Sequence, residues 1–292
     1  MSEKPARTPP RLLQVVRTAR ITPNLQRITL SGENLLGFPV HSHGMHIKVF
    51  VPRAHQQQPQ LSQLTAQGIV WPAAHERPIT RTYSVRQYRA DVNELDIEFV
   101  MHPTSIHKLA STPKAADINK IDSHGSPAAS WASNAKPGDW IGIAGPGGPD
   151  PLLAPADWQL LTGDLTALPA IAALLENLPD SAQGFAFIES DDAQDQIELI
   201  HPPGMVICWL ERAVDGSEVL LEAIKRIAPP LNATSISAFI AGENNAVVTI
   251  RDYLRATYGL NKRSLYAVPY WRRGQDEETY HQERHRIMDE VY

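Results

Sequence analysis

The chain has 292 residues, of which 42% are hydrophobic and 20% are charged, and its formal net charge at pH 7 is -5. These proportions exclude a disordered or fibrous chain, and the length favours two domains over one. Because an acidic chain lacks the basic surface that phosphates require, we expect no nucleic-acid partner. The single cysteine, Cys208, cannot form an internal disulfide, which fits a reducing compartment.

The amino-terminal sequence MSEKPARTPP contains no apolar run, and no stretch of about 18 uninterrupted apolar residues occurs in the chain. We therefore expect neither a secretory signal nor a membrane span. The expected protein is a cytoplasmic monomer without stable membrane association.

Residues 12–148 contain short runs in which apolar and polar residues alternate, as they do from Leu95 to Met101. A period of two predicts β-strands, and turn-forming sequences such as 145–148 separate them. Strands at this spacing favour an antiparallel barrel or sandwich. Two segments, 54–75 and 104–122, have no clear period and are predicted to be loops or insertions.

From Trp158 onward, buried apolar runs alternate with apolar residues at helical spacing. The predicted strands are 158–161, 185–188, 205–210 and 236–241, and the predicted helices are 168–175, 219–227 and 247–258. This order predicts a parallel α/β sheet. The fold class is therefore β plus α/β, with an antiparallel β-barrel domain at 1–152 and an α/β domain at 153–292 that ends in a charged helical extension.

Residues 81–86, RTYSVR, lie just before a predicted strand and carry the groups that a flavin dinucleotide needs. Tyr83 could cover the isoalloxazine ring, Ser84 could hydrogen-bond near its reactive nitrogen, and Arg81 could pair with a pyrophosphate. An ordinary strand with a surface arginine would have the same sequence, so the hexapeptide alone does not decide between the two interpretations.

The segment 124–132, HGSPAASWA, is typical of a loop that enters a helix. Ser126 could cap that helix and Pro127 suits its first turn, where free backbone N–H groups attract a phosphate. Most Ser-Pro helix starts bind nothing, so this signal is weak when it stands alone.

Two later segments each predict a buried strand that turns sharply into a helix. In 160–171, LLTGDLTALPAI, Gly163 permits close backbone approach and Thr166 could donate a hydrogen bond to a ligand at the carboxyl end of the strand. The segment 239–243, FIAGE, repeats this pattern. Neither contains the G-x-G-x-x-G fingerprint of dinucleotide-binding proteins, so each could also be a plain strand–turn–helix joint.

These four segments, with a fifth near the end of the chain, resemble the siderophore-interacting protein family of ferric-siderophore reductases, which is related to the ferredoxin–NADP reductase superfamily. The family patterns R-x-Y-[ST]-x-R, H-G-x-x-x-x-x-W-A, G-D-x-T-A-L-P-A, A-G-E and Y-W-R-x-G match residues 81–86, 124–132, 163–170, 241–243 and 270–274. The resemblance covers nearly the whole chain. It implies an FAD-binding β-barrel followed by a nicotinamide-binding α/β domain.

The resemblance also implies which residues bind FAD and the nicotinamide dinucleotide. Around the flavin they are Arg81, Tyr83, Ser84, Val85 and Arg86, with His102 and His124 as further candidates. Around the pyrophosphate they are Ser126, Ala128, Ala129 and Ser130. On the nicotinamide side they are Gly163, Asp164, Thr166, Ala167, Gly242, Glu243 and Trp271.

Lys48 matches a family lysine that is placed near the siderophore. Independently, Lys48 alternates with apolar neighbours, so it projects from the barrel face opposite the core and could attract an anionic ferric catecholate or hydroxamate. A solvated strand lysine is the alternative. The family often has a basic residue before the helix tryptophan, whereas this chain has Ser130, and Arg272 or Arg273 could take its place as a substrate-binding residue.

Two further features depart from the family pattern. The segment 104–122 separates His102 from His124, so which histidine approaches the flavin is left open. Residues 267–269, Ala-Val-Pro, precede Tyr270 where a glycine is common, so the terminal turn is expected to differ.

The resemblance implies a reductase that passes electrons from NAD(P)H through FAD to siderophore-bound Fe(III) and releases Fe(II) for iron assimilation, without a catalytic side-chain nucleophile or base. Two alternatives stay open. One is a general flavin or electron-transfer reductase that acts on a protein or a quinone-like acceptor, and the other is a non-catalytic siderophore-binding module.

The electron donor is left open between NADH and NADPH. Residues 189–192, ESDD, follow a predicted strand and would repel a 2′-phosphate, whereas Arg212, Arg251 or Arg255 could bind one. No metal site is expected, because the histidines of 41–46 do not share one strand face and are better interpreted as a solvated loop.

Overall fold

The computed structural model describes residues 8–101, 126–213, 218–229, 231–275 and 280. It divides into two compact units: unit 1 is Met1–Ser42 with His46–Gly147, and unit 2 is His43–Met45 with Gly148–Tyr292. His102, His124 and the segment 104–122 lie outside the described residues, as does nearly all of the predicted C-terminal extension. No helix within the described ranges is both long and apolar enough to cross a bilayer.

Unit 1 is built from strands and one short helix. They are β1 (Arg11–Thr22), β2 (Leu25–Ser31), β3 (His46–Val51), β4 (Gln63–Thr65), β5 (Gly68–Val70), β6 (Ile79–Ser84), β7 (Gln87–Arg89), β8 (Glu94–Val100), α1 (Pro127–Asn134) and β9 (Trp140–Gly147). Seven strands form an antiparallel sheet in the order β6-β3-β9-β1-β2-β8-β7. The remaining two, β4 and β5, form a hairpin, which corrects the loop predicted over that part of 54–75.

The antiparallel sheet curls back on itself. β6 and β7 stand at its opposite ends although only Val85 and Arg86 separate them in the chain. The Arg86 N–H donates to the Asp96 carbonyl on β8 (3.0 Å), and the Tyr83 ring on β6 lies 4.3 Å from the Phe99 ring on β8. No ladder joins β6 to β7 in the described ranges, so the sheet is barrel-like without being closed. The predicted antiparallel N-terminal domain is confirmed in this form.

Alternation along the strands explains which side chains fill this sheet. On β3, Ile47 and Val49 are fully buried in the core, whereas Lys48 is half-buried on the other face. Lys48 therefore projects away from the core, as its position in the sequence predicts. The flavin-type motif 81–86 begins inside β6 rather than before a strand, so its first four side chains also alternate between the two faces.

Unit 2 alternates strands and helices. They are β10 (Trp158–Asp164), α2 (Leu168–Glu176), β11 (Gln183–Ser190), β12 (Gly204–Glu211), α3 (Val219–Lys225), β13 (Ile236–Glu243), α4 (Asn244–Tyr258) and β14 (Leu265–Trp271). All five strands are parallel, in the order β12-β11-β10-β13-β14. The predicted parallel α/β domain is confirmed, and β14 is a strand that the sequence analysis missed.

The strand order of unit 2 reverses between β10 and β13. The chain first builds outward from β10 through β11 to β12, and then returns to place β13 on the other side of β10. In open parallel sheets the crevice at such a reversal, at the carboxyl ends of the strands, is where ligands bind. Gly163 allows the two strands to approach there, because a Cβ at this position would lie only 2.3 Å from the Ala241 carbonyl oxygen.

Candidate functional site

The reversal brings together four residues that the family resemblance implies for the nicotinamide side. Gly163 and Asp164 end β10, and Gly242 and Glu243 end β13. The Glu243 N–H donates to the Asp164 carboxylate at 2.9 Å. Gly242 has a φ of 125°, and a Cβ there would come within 2.8 Å of the Asp164 carboxyl carbon. The bare backbone at both glycines therefore forms a cradle that any side chain would fill.

Asp164 holds this edge of the sheet together. Its side chain is buried, and one carboxylate oxygen accepts the N–H (2.9 Å) and the hydroxyl of Thr166. The other oxygen accepts the Glu243 N–H and the indole N–H of Trp271 at 2.7 Å. The carboxylate thus joins the ends of β10, β13 and β14. Thr166, which the sequence analysis expected to donate to a ligand, donates its hydroxyl to Asp164.

Glu243 also has an internal role. Its carboxylate accepts the N–H groups of Asn245 (2.6 Å) and Ala246 (3.3 Å), so Glu243 is the N-cap of α4. The same side chain accepts the N–H of Arg273 at 3.2 Å. The start of α4 is therefore already occupied by a carboxylate, and an anionic ligand gains little there.

Arg212, at the end of β12, lies in an acidic setting. Its guanidinium contacts the Glu189 carboxylate at 3.0 Å and the Asp191 carboxylate at 3.3 Å, and it lies 5.6 Å from the centre of the Trp271 ring. Burial raises the pKa of Glu189, an effect that the neighbouring Arg212 opposes. Arg212 is a phosphate-binding candidate from the sequence, but its pairing with two carboxylates becomes evident only in the folded chain.

A cleft of about 180 Å³ opens at this carboxyl edge, lined in part by Glu189, Arg212, Glu218, Glu243 and Arg273. A larger cleft of about 560 Å³ lies at the opposite, amino-terminal edge and contains no residue of the predicted motifs. Because ligands of open parallel sheets bind at the carboxyl edge, the smaller cleft is the candidate site. The buried Ser190 hydroxyl at the end of β11 has no hydrogen-bond partner within the described part of the chain.

In unit 1 the flavin-type motif and the helix start lie on one continuous core. The Tyr83 ring packs on Phe99, and Phe99 in turn lies 5.9 Å from the ring of Trp131 on α1. Val85 is fully buried, so only its backbone could reach a cofactor. Arg86 lies 3.7 Å from the buried Glu98 carboxylate, which holds it against β8.

Helix α1 begins where the sequence predicts. Pro127 is its first residue and Ser126 is its N-cap, but the Ser126 hydroxyl makes no capping hydrogen bond. The N–H groups of Ala128 and Ala129 lie in the first turn, where no helical carbonyl can accept them. This donor set fits a pyrophosphate, since the Ser126 hydroxyl, which does not cap the helix, and two first-turn amides belong to the same end of the helix.

The three candidate substrate-binding residues are divided between the units. Lys48 on β3 donates to the Thr82 hydroxyl on β6 at 2.7 Å, while Arg272 and Arg273 follow β14 in unit 2. Within the described ranges, no group of three His, Cys, Asp or Glu side chains is arranged to hold a metal ion. Residues 40–45 are irregular, and His46 begins β3.

Comparison with known proteins agrees with this architecture. The family model for the siderophore-interacting FAD-binding domain matches residues 14–150. The family model for the siderophore-interacting protein matches residues 156–274. Ferric vibriobactin reductase ViuB of Vibrio cholerae is 44% identical over 293 residues, with 100% of both chains covered. The NADPH-dependent ferric-chelate reductase of Escherichia coli is 31% identical over 271 residues, or 89% of this chain and 92% of that protein. The crystal structure of the siderophore-interacting protein SipS from Aeromonas hydrophila has a TM-score of 0.78 and 34% identity, covering 96% of this chain and 98% of that one.

An antiparallel unit that matches an FAD-binding domain, followed by a parallel α/β unit with a cleft at its strand reversal, defines a two-domain FAD-binding oxidoreductase. Within that class, the chain belongs to the siderophore-interacting protein family, as its motifs predict.

Proposed function

We propose that this protein is a ferric-siderophore reductase that takes electrons from NAD(P)H, passes them through FAD and reduces siderophore-bound Fe(III), so that Fe(II) is released. The observation that carries this proposal is the glycine cradle at the β10–β13 reversal, in a chain whose other unit matches an FAD-binding domain. Full-length similarity to a ferric vibriobactin reductase supports the substrate class. One NAD(P)H supplies two electrons, so each turnover reduces two Fe(III) ions and leaves NAD(P)⁺ and one proton.

The residues of unit 1 fit FAD. Tyr83 and Ser84 on β6 would hold the isoalloxazine ring, while Arg81 and the first-turn N–H groups of Ala128 and Ala129 would bind the pyrophosphate. When bound, FAD supplies the conversion of a two-electron donor into single electrons for Fe(III). His102 and His124 stay candidates for the flavin environment.

The residues of unit 2 would position the nicotinamide dinucleotide. Gly163 and Gly242 present bare backbone, and the shape of that backbone is fixed by the hydrogen bonds of Asp164. Asp164, Thr166 and Glu243 therefore act by positioning rather than by transferring protons. Ala167 contributes its small side chain, since it packs against Gly163.

Lys48 in unit 1 would attract the ferric complex, because tris-catecholate complexes of Fe(III) are anionic. Arg272 and Arg273 in unit 2 are further candidates for this role. Reduction lowers the charge on iron, and hard oxygen ligands hold Fe(II) less tightly than Fe(III). The protein need only bind the complex near the flavin, and no side-chain nucleophile or base is required.

The test mixes the yellow holoprotein with NADH or NADPH, the ferric complex of a tris-catecholate siderophore and an Fe(II)-specific chelator. We expect the chelate colour to develop faster than in the control without protein. Lys48→Ala should raise KM for the ferric complex by about tenfold at low ionic strength, because it removes a half-buried cation. Lys136→Ala, which removes an exposed lysine from the same unit, should leave KM unchanged. A colourless preparation that does not take up FAD would contradict the proposal.

We also propose that the protein works as a cytoplasmic monomer. The half-buried free thiol of Cys208, whose pKa is raised by burial, suits a reducing compartment. Light scattering coupled to gel filtration tests the oligomeric state, and a mass near 32.3 kDa is expected.

A further inference from the structure

The distribution of basic residues in unit 2 is unusual. Between residues 137 and 224, Arg212 is the only lysine or arginine. This stretch contains β10, β11 and β12 with all their connections, three of the five strands of the parallel sheet. This stretch therefore contributes one basic side chain to the carboxyl ends of these strands.

That one cation is already paired. Arg212 contacts Glu189 at 3.0 Å and Asp191 at 3.3 Å, and only 18% of its side chain is exposed. Glu189 lies opposite Asp164 in the β10–β11 ladder, at the end of the second strand of the fold. In dinucleotide-binding sheets this is where an acidic residue accepts the ribose 2′-hydroxyl of NADH, or where an arginine accommodates the 2′-phosphate of NADPH.

The other charged residues of the cleft do not make it favourable for a phosphate. Its charged lining consists of Glu189, Glu218 and Glu243 against Arg212 and Arg273, which leaves one carboxylate in excess. Arg251 on α4 donates to the neighbouring Asp252 at 2.8 Å. A 2′-phosphate carries a charge of about -1.5 to -2, so it would have to displace carboxylates from Arg212 and then lie beside them.

We propose that Glu189 and Asp191, by holding Arg212 between them, make this protein select NADH over NADPH. One of the two carboxylates accepts the 2′-hydroxyl, and Arg212 is kept from acting as a phosphate ligand. The inference rests on the proposed function and specifies its electron donor. The name of the Escherichia coli relative specifies NADPH for that protein, so the two chains are expected to differ.

The binding test compares ADP-ribose with 2′-phospho-ADP-ribose, which differ only in the 2′-phosphate, by calorimetry on the FAD-loaded protein. ADP-ribose should bind at least about tenfold more tightly, the minimum expected for a charged hydrogen bond gained in one ligand and repulsion met by the other. Stopped-flow reduction of the flavin should show the same preference for NADH. Equal or tighter binding of the phosphorylated ligand would overturn the inference.

Variants test the role of the two carboxylates. Glu189→Gln combined with Asp191→Asn frees Arg212, so 2′-phospho-ADP-ribose should bind about tenfold more tightly than to the wild type. The matched control is Glu211→Gln, which removes an exposed carboxylate at the end of β12 and should leave the ratio unchanged. Asp191→Asn alone is the second variant, to be used if the double variant folds poorly, because the Asp191 side chain is 70% exposed. It should tighten the binding of 2′-phospho-ADP-ribose by a smaller factor than the double variant.

These outcomes separate the inference from the proposed function. If neither dinucleotide reduces the flavin, the proposed function is wrong. The ratio of the affinities for ADP-ribose and 2′-phospho-ADP-ribose still tests the selectivity in that case. If NADPH reduces the flavin faster than NADH, the protein is still a reductase and the role of Glu189 and Asp191 is wrong. An unchanged ratio in every carboxylate variant also overturns that role.

Discussion

At the scale of single residues, Asp164 uses its carboxylate to hold strand ends together, so its proposed role is to shape the site rather than to contact the ligand. Its carboxylate is 2% exposed and accepts hydrogen bonds from Thr166, Glu243 and Trp271. A ligand would have to break one of these bonds to reach it. In the proposed function, the two glycines beside Asp164 would provide the surface for the dinucleotide, and the hydrogen bonds of Asp164 would fix the shape of that surface.

Asp164→Ala should lower the free energy of unfolding by about 1–3 kcal/mol, because it leaves the part-buried Glu243 N–H and Trp271 indole N–H without an acceptor. Urea unfolding followed by circular dichroism measures this change. The same substitution should alter Trp271 emission and raise KM for the dinucleotide more than it lowers kcat. Asp180→Asn, which changes an exposed carboxylate after α2, serves as the control. A variant as stable as the wild type would show that the four hydrogen bonds contribute little.

The sequence predicts part of this arrangement and not the rest. The strand–turn–helix pattern around Gly163 and its repeat around Gly242 place both glycines at carboxyl ends of strands, where they are found. The bond from Trp271 to Asp164 joins residues 107 positions apart and depends on the pairing of β13 with β14. No local pattern encodes such a partner, because it is set by strand order.

At the scale of elements, ion pairs join neighbouring strands of the antiparallel sheet, with β8 at the centre of the network. Glu94 on β8 accepts two hydrogen bonds from Arg17 on β1, at 2.8 and 2.7 Å, and a third from Arg89 on β7. The Arg17 guanidinium holds the pKa of Glu94 at about 2, with a smaller contribution from Arg89. Asp96, two residues further along β8, accepts from Arg89 and from the buried Thr29 hydroxyl.

Glu94→Gln should therefore destabilise unit 1 in a pH-dependent way. The folded pKa lies below the ordinary value, so the carboxylate contributes stability above about pH 4.5 and loses it as the pH falls towards 2. We expect a loss of about 1 kcal/mol at pH 7 after screening by solvent, shrinking as the pH approaches 3. Urea unfolding across this pH range measures the difference. Asp91→Asn, an exposed change in the β7–β8 turn, is the control, and a difference that grows on acidification would contradict the assignment.

The sequence defines a strand's bounds best where alternation is clean, and least well where the sheet itself disrupts the alternation. β1 is a 12-residue strand with two register shifts against β2, between Val15 and Arg17 and between Arg20 and Thr22, so its polar and apolar residues do not keep a period of two. β14 contains Pro269 and is mostly buried on both faces. Proline is tolerated there because β14 is the edge strand of the parallel sheet.

At the scale of the whole molecule, the sequence changes from strand periodicity to alternating strand and helix periodicity, and this change corresponds to two units with separate cores. One core contains Ile47, Ile97 and Ile143, and the other contains Leu160, Ile240 and Ile250. The sequence predicts both fold classes because antiparallel and parallel strands bury their residues in different patterns. It cannot predict the strand orders, since these depend on contacts far apart in the chain.

Separate cores imply that each cofactor should stabilise the unit that binds it. FAD added to the apoprotein should slow amide hydrogen exchange in 79–86 and in 126–134, because N–H groups that bond to a bound ligand open less often. ADP-ribose should instead slow exchange at the carboxyl ends of β10 and β13. At a free concentration of about 100 times Kd, the stabilisation amounts to about 2.7 kcal/mol, which is readily measured by mass spectrometry of the exchanged peptides.

The matched variant for this experiment is Arg81→Ala. It should remove most of the protection that FAD gives to unit 1, while the exchange pattern without ligand and the response of unit 2 to ADP-ribose stay as in the wild type. If FAD protected only β10 to β14 from exchange, the proposal that FAD binds to unit 1 would be wrong. Because exchange is measured without turnover, this result would stand whatever electron acceptor the enzyme uses.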